Sequence, residues 1–397
     1  MARVKDQRAL ILHVITSLGR GGAERQLVNL LSNTDRTRFK HKVAFLRDPD
    51  DFASEIRSAE CECVCLGARG RTQWVYAAKK LRQIIKTEKP AIIQSWLYDA
   101  NISARLVAPF GSTIPIVVSL QSADYAPETL AAANLPRRKV GVLRVLDSLS
   151  ARWIDPVFVA CSDFVKESAT EHLRLRPSRV EVIYNAVDPK TLVASTSEVD
   201  NLRMSLGIPA RGFVFLNVGR LDPAKGQAIL LKSFQKVADR MPNSYLVVLG
   251  RGPLKEDLIE LTDSLGISDK VLFPGTRADV GAFLSLADVF VFPSFFEGLP
   301  LALIEAMSKG LPCIVSEIDT LREVAKHEET ALLVEPGSVD QLAEAMLELY
   351  ANSAKRKVLG DRAQQETNRK FLIDVTIGQW ERLYSSLARN SEYEARG

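Results

Sequence analysis

The stretch PSFFEGLPLALIEAMSKGLPCIV, Pro293 to Val315, decides the fold. It follows a short apolar run, Val289–Phe292, that reads as a buried strand, and it leads through a glycine-containing loop into a helix opened by Pro300. Proline suits the first helical position because its missing N–H has no partner there. The free N–H groups of such a helix start make an anion site at a strand's carboxyl end, where open α/β sheets bind ligands. Glu297 lies in the loop with Gly298 and Leu299, and Glu305 lies in the second helical turn. Helical side chains lean toward the N-terminus, so both carboxylates are expected to face one pocket. Beside a phosphate site, carboxylates suit the vicinal hydroxyls of a sugar or ribose. A solvated glutamate at each position is the plain alternative, and the Gly–Leu–Pro setting weighs against it.

Moving outward, LNVGRLDPAKGQAILLKSF (Leu216–Phe234) ends a strand at Gly219 and presents Arg220 and Lys225 before the next helix. A planar donor fork and a point charge together suit a diphosphate. Strand-then-glycine loops recur at LVVLGRGPL (Leu246–Leu254) and FPGTRADV (Phe273–Val280), which carries Gly275 and Arg277. Short apolar runs at Phe213–Val218, Tyr245–Gly250, Val271–Phe273, Val289–Phe292, Cys313–Val315 and Ala331–Val334 form one strand set. An earlier set comprises Ala9–Ile15, Lys42–Leu46, Cys61–Leu66, Ala91–Gln94, Ile114–Leu120, Val157–Ala160 and Val180–Ile183. Buried strands alternating with helices predict parallel sheets covered on both faces. The polar segment Asp188–Ser205 reads as the linker. The expected class is α/β, with two Rossmann-like domains facing a central cleft.

Length and composition agree. The 397 residues exceed one compact core. Their 46% hydrophobic and 25% charged content excludes wholesale disorder. No apolar run approaches the ~20 residues that span a bilayer, and no export signal is read at the N-terminus, so a cytoplasmic location is expected. The net charge of +4 hides an asymmetry: residues 1–190 carry 29 Lys+Arg against 20 Asp+Glu, a net of +9, which leaves −5 for the rest. A basic half suggests a polyanionic partner.

Residues 213–335 resemble the donor domain of the retaining nucleotide-sugar glycosyltransferases, family 4, which have the GT-B fold. Glu297 and Glu305, separated by seven residues within SxxEGLPxxxxEAMxxGxP, are similar to that family's glutamate pair, and Gly219, Arg220, Lys225 and Gly226 match its VGRLxxxKG segment. The likeness extends more weakly over nearly the whole chain. It implies that Arg220 and Lys225 bind the donor diphosphate, that Glu297 holds donor-sugar hydroxyls and Glu305 the ribose, and that Gly275–Arg277 borders the base. Gly298 and Leu299 join the donor set. In SLGRGGAERQLVNLL (Ser17–Leu31) the resemblance assigns Gly21 and Gly22 to the approach of the donor phosphate. Read alone, that loop is a partial dinucleotide fingerprint whose third glycine would fall at Glu24, or simply a tight turn. The implied domains are an acceptor-binding 1–190, a donor-binding 191–375, and a helical 376–397 packing back toward the first.

Departures from the pattern shape the rest. Many relatives place a histidine after the strand matched here by Ile114–Leu120; this chain reads VSLQSADY, and none of its four histidines lies there. Asp99 and Gln121 are the acceptor-side candidates instead. Thr320 stands where many relatives have glycine, and Ala186 in VIYNAVDP replaces another. Asp48-Pro49-Asp50 mimics a metal-binding DxD but reads as a turn. Cys61, Cys63 and Cys65 lack zinc spacing and read as buried thiols, as do Cys161 and Cys313. No metal and no cofactor is expected. Residues 136–152 (PRRKVGVLRVLDSLSAR) interleave basic and apolar side chains, which suits an amphipathic helix on an anionic membrane; a solvated basic face is the alternative. Nucleic-acid signatures are absent.

The expected activity is metal-independent transfer of a hexosyl group, with retention, from a nucleotide diphosphate, UDP favoured over GDP, to a hydroxyl of a glycan or lipid-linked acceptor in bacterial cell-surface polysaccharide or glycolipid assembly. The competing readings are an epimerase or hydrolase of nucleotide sugars, a non-catalytic nucleotide-sugar-binding partner and, last, a nicotinamide dehydrogenase.

Overall fold

The computed structural model describes residues 8–70, 73–107, 114–123, 125–126, 137–154 and 156–394. Contacts divide the chain into two units, residues 1–186 with 373–397, and residues 187–372. The first unit holds a seven-stranded parallel sheet: β1 (Ala9–Ile15), β2 (Phe39–Phe45), β3 (Glu62–Cys65), β4 (Ile92–Trp96), β5 (Ile116–Leu120), β6 (Val157–Ala160) and β7 (Val180–Val182), in the order β3-β2-β1-β4-β5-β6-β7. The second holds a six-stranded parallel sheet of β8 (Phe213–Val218), β9 (Ser244–Leu249), β10 (Val271–Gly275), β11 (Val289–Phe292), β12 (Cys313–Ser316) and β13 (Leu332–Val334), ordered β10-β9-β8-β11-β12-β13. Strands buried on both faces explain the near-continuous apolar runs. In each sheet the winding reverses beside the unit's first strand, between β1 and β4 and between β8 and β11. Such switch points open a crevice at the carboxyl ends of the strands.

Each unit has its own core. Leu27, Phe39, Trp96 and Val117 pack in the first, and Phe215, Phe234, Leu246 and Val291 in the second. The final helix, Ile373–Glu394, adds Ile377, Trp380 and Tyr384 to the first core. Tyr384 donates from its buried hydroxyl to Gln94, and Glu381 accepts the backbone N–H of Asp35 at 2.8 Å.

The first unit ends at Ala186 rather than at residue 190, and hydrogen bonding gives the reason. Gln26 accepts the Ala186 N–H at 2.8 Å and donates to its carbonyl at 2.7 Å, while Val187 donates to Phe371 O at 2.9 Å. The chain returns to the first unit at Ile373, not 376. The segment 188–205 is also not a plain linker. Asp188 caps a 3-10 turn at Pro189–Leu192, and Ser195 with Glu198 forms a capping box that opens the helix Thr196–Ser205. Its single buried residue, Leu202, leaves almost no apolar period to detect. The three alternating cysteines differ in exposure: Cys61 is buried, Cys63 half-buried and Cys65 exposed. Only the first is a buried thiol, because β3 is the sheet's edge strand.

Candidate functional site

In the second unit the two loops at the switch point meet. After β8, Asp222 accepts the Ala224 N–H at 3.0 Å and opens a 3-10 turn, Pro223–Lys225, that lifts Lys225 out of the strand line. Gly226 follows at φ +67°, and a Cβ there would stand 2.1 Å from the Pro293 carbonyl, in the loop after β11. Only glycine lets the two backbones approach so closely. Phe295 N–H then donates to Ala224 O at 2.8 Å. This junction carries Lys225 onto Glu297: Nζ lies 2.7 Å from Oε1 and 2.8 Å from Oε2, and 5.7 Å from the Phe292 ring. The Glu297 side chain is 7% exposed and that of Lys225 20%. A pair so far from water is costly to separate unless another charge replaces one member.

Three buried polar atoms on the segments that carry this pair have no protein partner: Asn217 Oδ1 near the end of β8, Gln227 Oε1 at the start of the following helix, and Ser294 Oγ in the loop after β11. Buried polar atoms are nearly always satisfied, so orphans at a strand end point to a ligand or water position. Ser316 Oγ, at the end of β12, and Thr320 Oγ1, just past it, are orphaned in the same way.

The other residues expected on the donor side are placed differently from one another. Arg220 is not beside Lys225's carboxylate but is held by Asp222 through Nε, with its side chain 73% exposed. Arg277 makes a two-pronged ion pair with Asp279, at 2.9 and 2.8 Å, and lies over Phe283. Gly275 ends β10 at φ +77° and accepts the Gly250 N–H at 3.0 Å. Leu299 is buried, Gly298 and Glu305 are half-buried, and Glu305 sits in the helix Leu301–Ser308. Pro300 does not occupy the first helical position; at φ −83° and ψ 90° it is the capping residue ahead of Leu301. Its ψ is extended, so the helical turn begins one residue later.

In the first unit, Gly21 caps the helix Gly22–Asn33 in an extended conformation, φ −134°. Its lack of a side chain leaves room for Glu24, whose Oε2 would lie 2.4 Å from a Cβ at Gly21. Burial pushes the Glu24 carboxyl up to about 7, against a partly offsetting hydrogen bond from its own N–H. The 48–50 stretch supports this loop, since Leu18 N–H donates to Pro49 O at 2.8 Å. Asp99, at the start of the helix Tyr98–Arg105, is buried and already paired: it accepts from Arg47 and, at 3.0 Å, from the Trp74 indole. Gln121, just past β5, is half-buried with Oε1 unpartnered, and Thr16 Oγ1 and Arg47 Nη1 are orphaned likewise.

Arg47, Trp74 and Asp222 escaped the sequence reading. Arg47 had a signal, because it stands just past a strand's carboxyl end, the same placement that singled out Arg220. Trp74 and Asp222 had none, since their roles rest on partners far along the chain or on a single turn.

Among known proteins, the family model "Glycosyltransferase Family 4" matches residues 20–191 and "Glycosyl transferases group 1" matches residues 198–366. The chain is 28% identical over 277 residues to the Escherichia coli UDP-Gal:alpha-D-GlcNAc-diphosphoundecaprenol alpha-1,3-galactosyltransferase, covering 67% of this chain and 68% of that protein. It is 26% identical to the Campylobacter jejuni N-acetylgalactosamine-N,N'-diacetylbacillosaminyl-diphospho-undecaprenol 4-alpha-N-acetylgalactosaminyltransferase, over 54% of this chain and 55% of that one. The fold matches Anabaena HepE, solved in complex with UDP and glucose, with a TM-score of 0.81 at 22% identity, covering 96% of this chain and 100% of the other.

Proposed function

The chain belongs to the glycosyltransferases of group 1 and family 4, with the GT-B fold, and from that premise we propose that it transfers a sugar, with retention and without a metal, from a UDP-sugar to a hydroxyl of a lipid-linked or glycan acceptor in cell-surface assembly. The observation that carries this reading is the Lys225–Glu297 pair at the switch point of the second sheet. A cation and a carboxylate share one crevice there, as a donor with a diphosphate at one end and sugar hydroxyls at the other requires. Lys225, Arg220 and the helix start at Leu301 stabilise charge developing on the leaving diphosphate, the electrostatic contribution that commonly dominates such reactions. Glu297 accepts from donor-sugar hydroxyls and Glu305 from the ribose, with Gly275 and Arg277 beside the base. As the bond from the anomeric carbon to the diphosphate breaks, the acceptor oxygen attacks on the same face, and the leaving phosphate oxygen takes its proton. Asp99 and Gln121 are the acceptor-side candidates. The UDP and diphosphoundecaprenol in the names of relatives support both halves of the reaction. The enzyme acts at the inner face of the membrane.

A thermal-shift screen against UDP, GDP, ADP, NADH and a panel of UDP- and GDP-sugars tests the donor assignment, since a ligand that binds only the native state stabilises it by mass action. Selective stabilisation by UDP and one UDP-sugar is expected, followed by turnover with a lipid-linked acceptor. Stabilisation by NADH alone would overturn it.

A further inference from the structure

We propose that one face of the helix Arg137–Ile154 is the surface by which the protein lies on an anionic lipid bilayer. This extends the membrane location just proposed and does not depend on the donor site. Val142, Val145, Leu146, Leu149 and Trp153 are exposed large apolar side chains, Trp153 at 79%. At 3.6 residues per turn their positions fall within an arc of about 100°, one continuous stripe along the helix. Scattered exposed apolar residues are ordinary on a soluble surface, but a contiguous stripe ending in tryptophan is not.

The stripe cannot be hidden by rolling the helix. On the opposite side Asp147 is buried and accepts from the Arg105 guanidinium, itself 1% exposed, and from the Tyr125 hydroxyl at 2.9 Å. Arg105 also donates to the Asp147 carbonyl at 3.3 Å, and Ser148 donates to Leu173 O at 2.9 Å. Turning the apolar residues inward would carry a buried carboxylate away from its buried cation, which is among the costliest single changes a fold can make. Arg105–Asp147–Tyr125 thus fixes the rotation of the helix.

Charge selects the occupant. Arg144 and Arg152 are exposed on the same helix, residues 137–139 place Arg, Arg and Lys in its first turn, and the surrounding half of the chain carries the net +9. An apolar stripe bordered by Arg152, on the basic half of the chain and ending in an amphipathic aromatic ring, matches a helix lying in the plane of an anionic headgroup layer. A second copy of the chain would bring like charges together.

The test is flotation with vesicles of phosphatidylcholine alone and of equimolar phosphatidylcholine and phosphatidylglycerol, with no donor or acceptor present. Wild-type protein is expected to float with the anionic vesicles, to release as salt rises, and to show a blue shift of tryptophan emission. Leu149→Ser/Trp153→Ser should lower partitioning by about tenfold or more and abolish the blue shift, while its UDP-induced thermal shift stays at the wild-type value. That readout separates failure here from failure of the donor assignment. Equal binding of wild type and double variant overturns the proposal, as does absence of binding to anionic vesicles. Self-association that the double substitution abolishes, without lipid binding, would assign the face to a second copy instead.

Discussion

Glu297→Gln separates the two halves of the donor site, because Lys225 cannot serve a diphosphate and a carboxylate fully at once. An ammonium has three donors; two of them are engaged by Oε1 and Oε2 at 2.7 and 2.8 Å, leaving one for a phosphate oxygen. Charges at that separation attract by about 6 kcal/mol at an effective dielectric of about 20, and a phosphate arriving at Lys225 also meets the repulsion of the carboxylate. Glutamine keeps the shape and one acceptor while removing the charge. Lys225 keeps some contact with water, so losing its partner should cost on the order of 1–3 kcal/mol, less than a fully buried pair. In a unit of this size that lowers the melting temperature of ligand-free protein by roughly 5 °C. UDP should then bind more tightly than to wild type, by about tenfold, equivalent to about 1.4 kcal/mol. The UDP-sugar should lose its advantage over UDP, because the acceptor of its hydroxyls is weakened. Isothermal titration with UDP and the matching UDP-sugar reads both effects. If UDP affinity instead falls tenfold in step with the UDP-sugar, Glu297 is not a competitor for Lys225 and the division of the site is wrong.

Four other substitutions probe the site and the loops that hold it. Lys225→Ala should cut turnover by about 10²–10³, but it also strands the buried Glu297, so the double variant Lys225→Ala/Glu297→Gln is its control; full turnover in either removes the diphosphate assignment. Glu24 is expected to keep its proton to about pH 7 in the folded chain but only to about 4.5 when unfolded. Its contribution to stability is therefore lost as pH rises from about 4.5 to 7, by up to roughly 3 kcal/mol. Glu24→Gln should recover that loss in urea titrations at pH 8 and change little at pH 4, and a pH-independent effect would contradict the burial argument. Gly226→Ala should destabilise by about 3 kcal/mol or more, since the left-handed φ and the contact with Pro293 O are both violated; a loss below 1 kcal/mol would mean the two loops are not locked together. Asp99→Asn leaves Arg47 without its carboxylate and should cost about 1–3 kcal/mol in urea unfolding. An unchanged midpoint would show that pair to be dispensable.

Much of the fold was legible because the strands are buried on both faces and announce themselves as apolar runs. Val157–Ala160, Phe213–Val218 and Val289–Phe292 begin and end where the sequence predicts. Errors fall where apolar pattern is not what holds the chain. The helix Thr196–Ser205 is made by a capping box, not by a buried face. The boundary at Ala186 is made by one side chain, Gln26, reaching across 160 residues of sequence. Neither leaves a periodic trace.

The site divides along the same line. The left-handed turn at Gly226 came from the structure, whereas residues that follow a strand defined by its own neighbours were readable, as Lys225 after β8 and Glu297 after β11 were. Their pairing is a different kind of fact, because it depends on β11 lying beside β8, a crossing of 72 residues that no local window contains. By sequence alone, Arg220 and Lys225 share one task as cations. The structure gives each a carboxylate of its own, Asp222 and Glu297, so the site waits as two neutral pairs rather than as a bare positive patch. On the proposed assignment, a donor would exchange partners here instead of merely being attracted. Recognition would then depend on sugar and diphosphate arriving together, with the sugar hydroxyls taking Glu297 as the phosphate engages Lys225. Such coupling would let a lysine and a glutamate that neutralise one another serve one substrate, and it is the property that Glu297→Gln would remove.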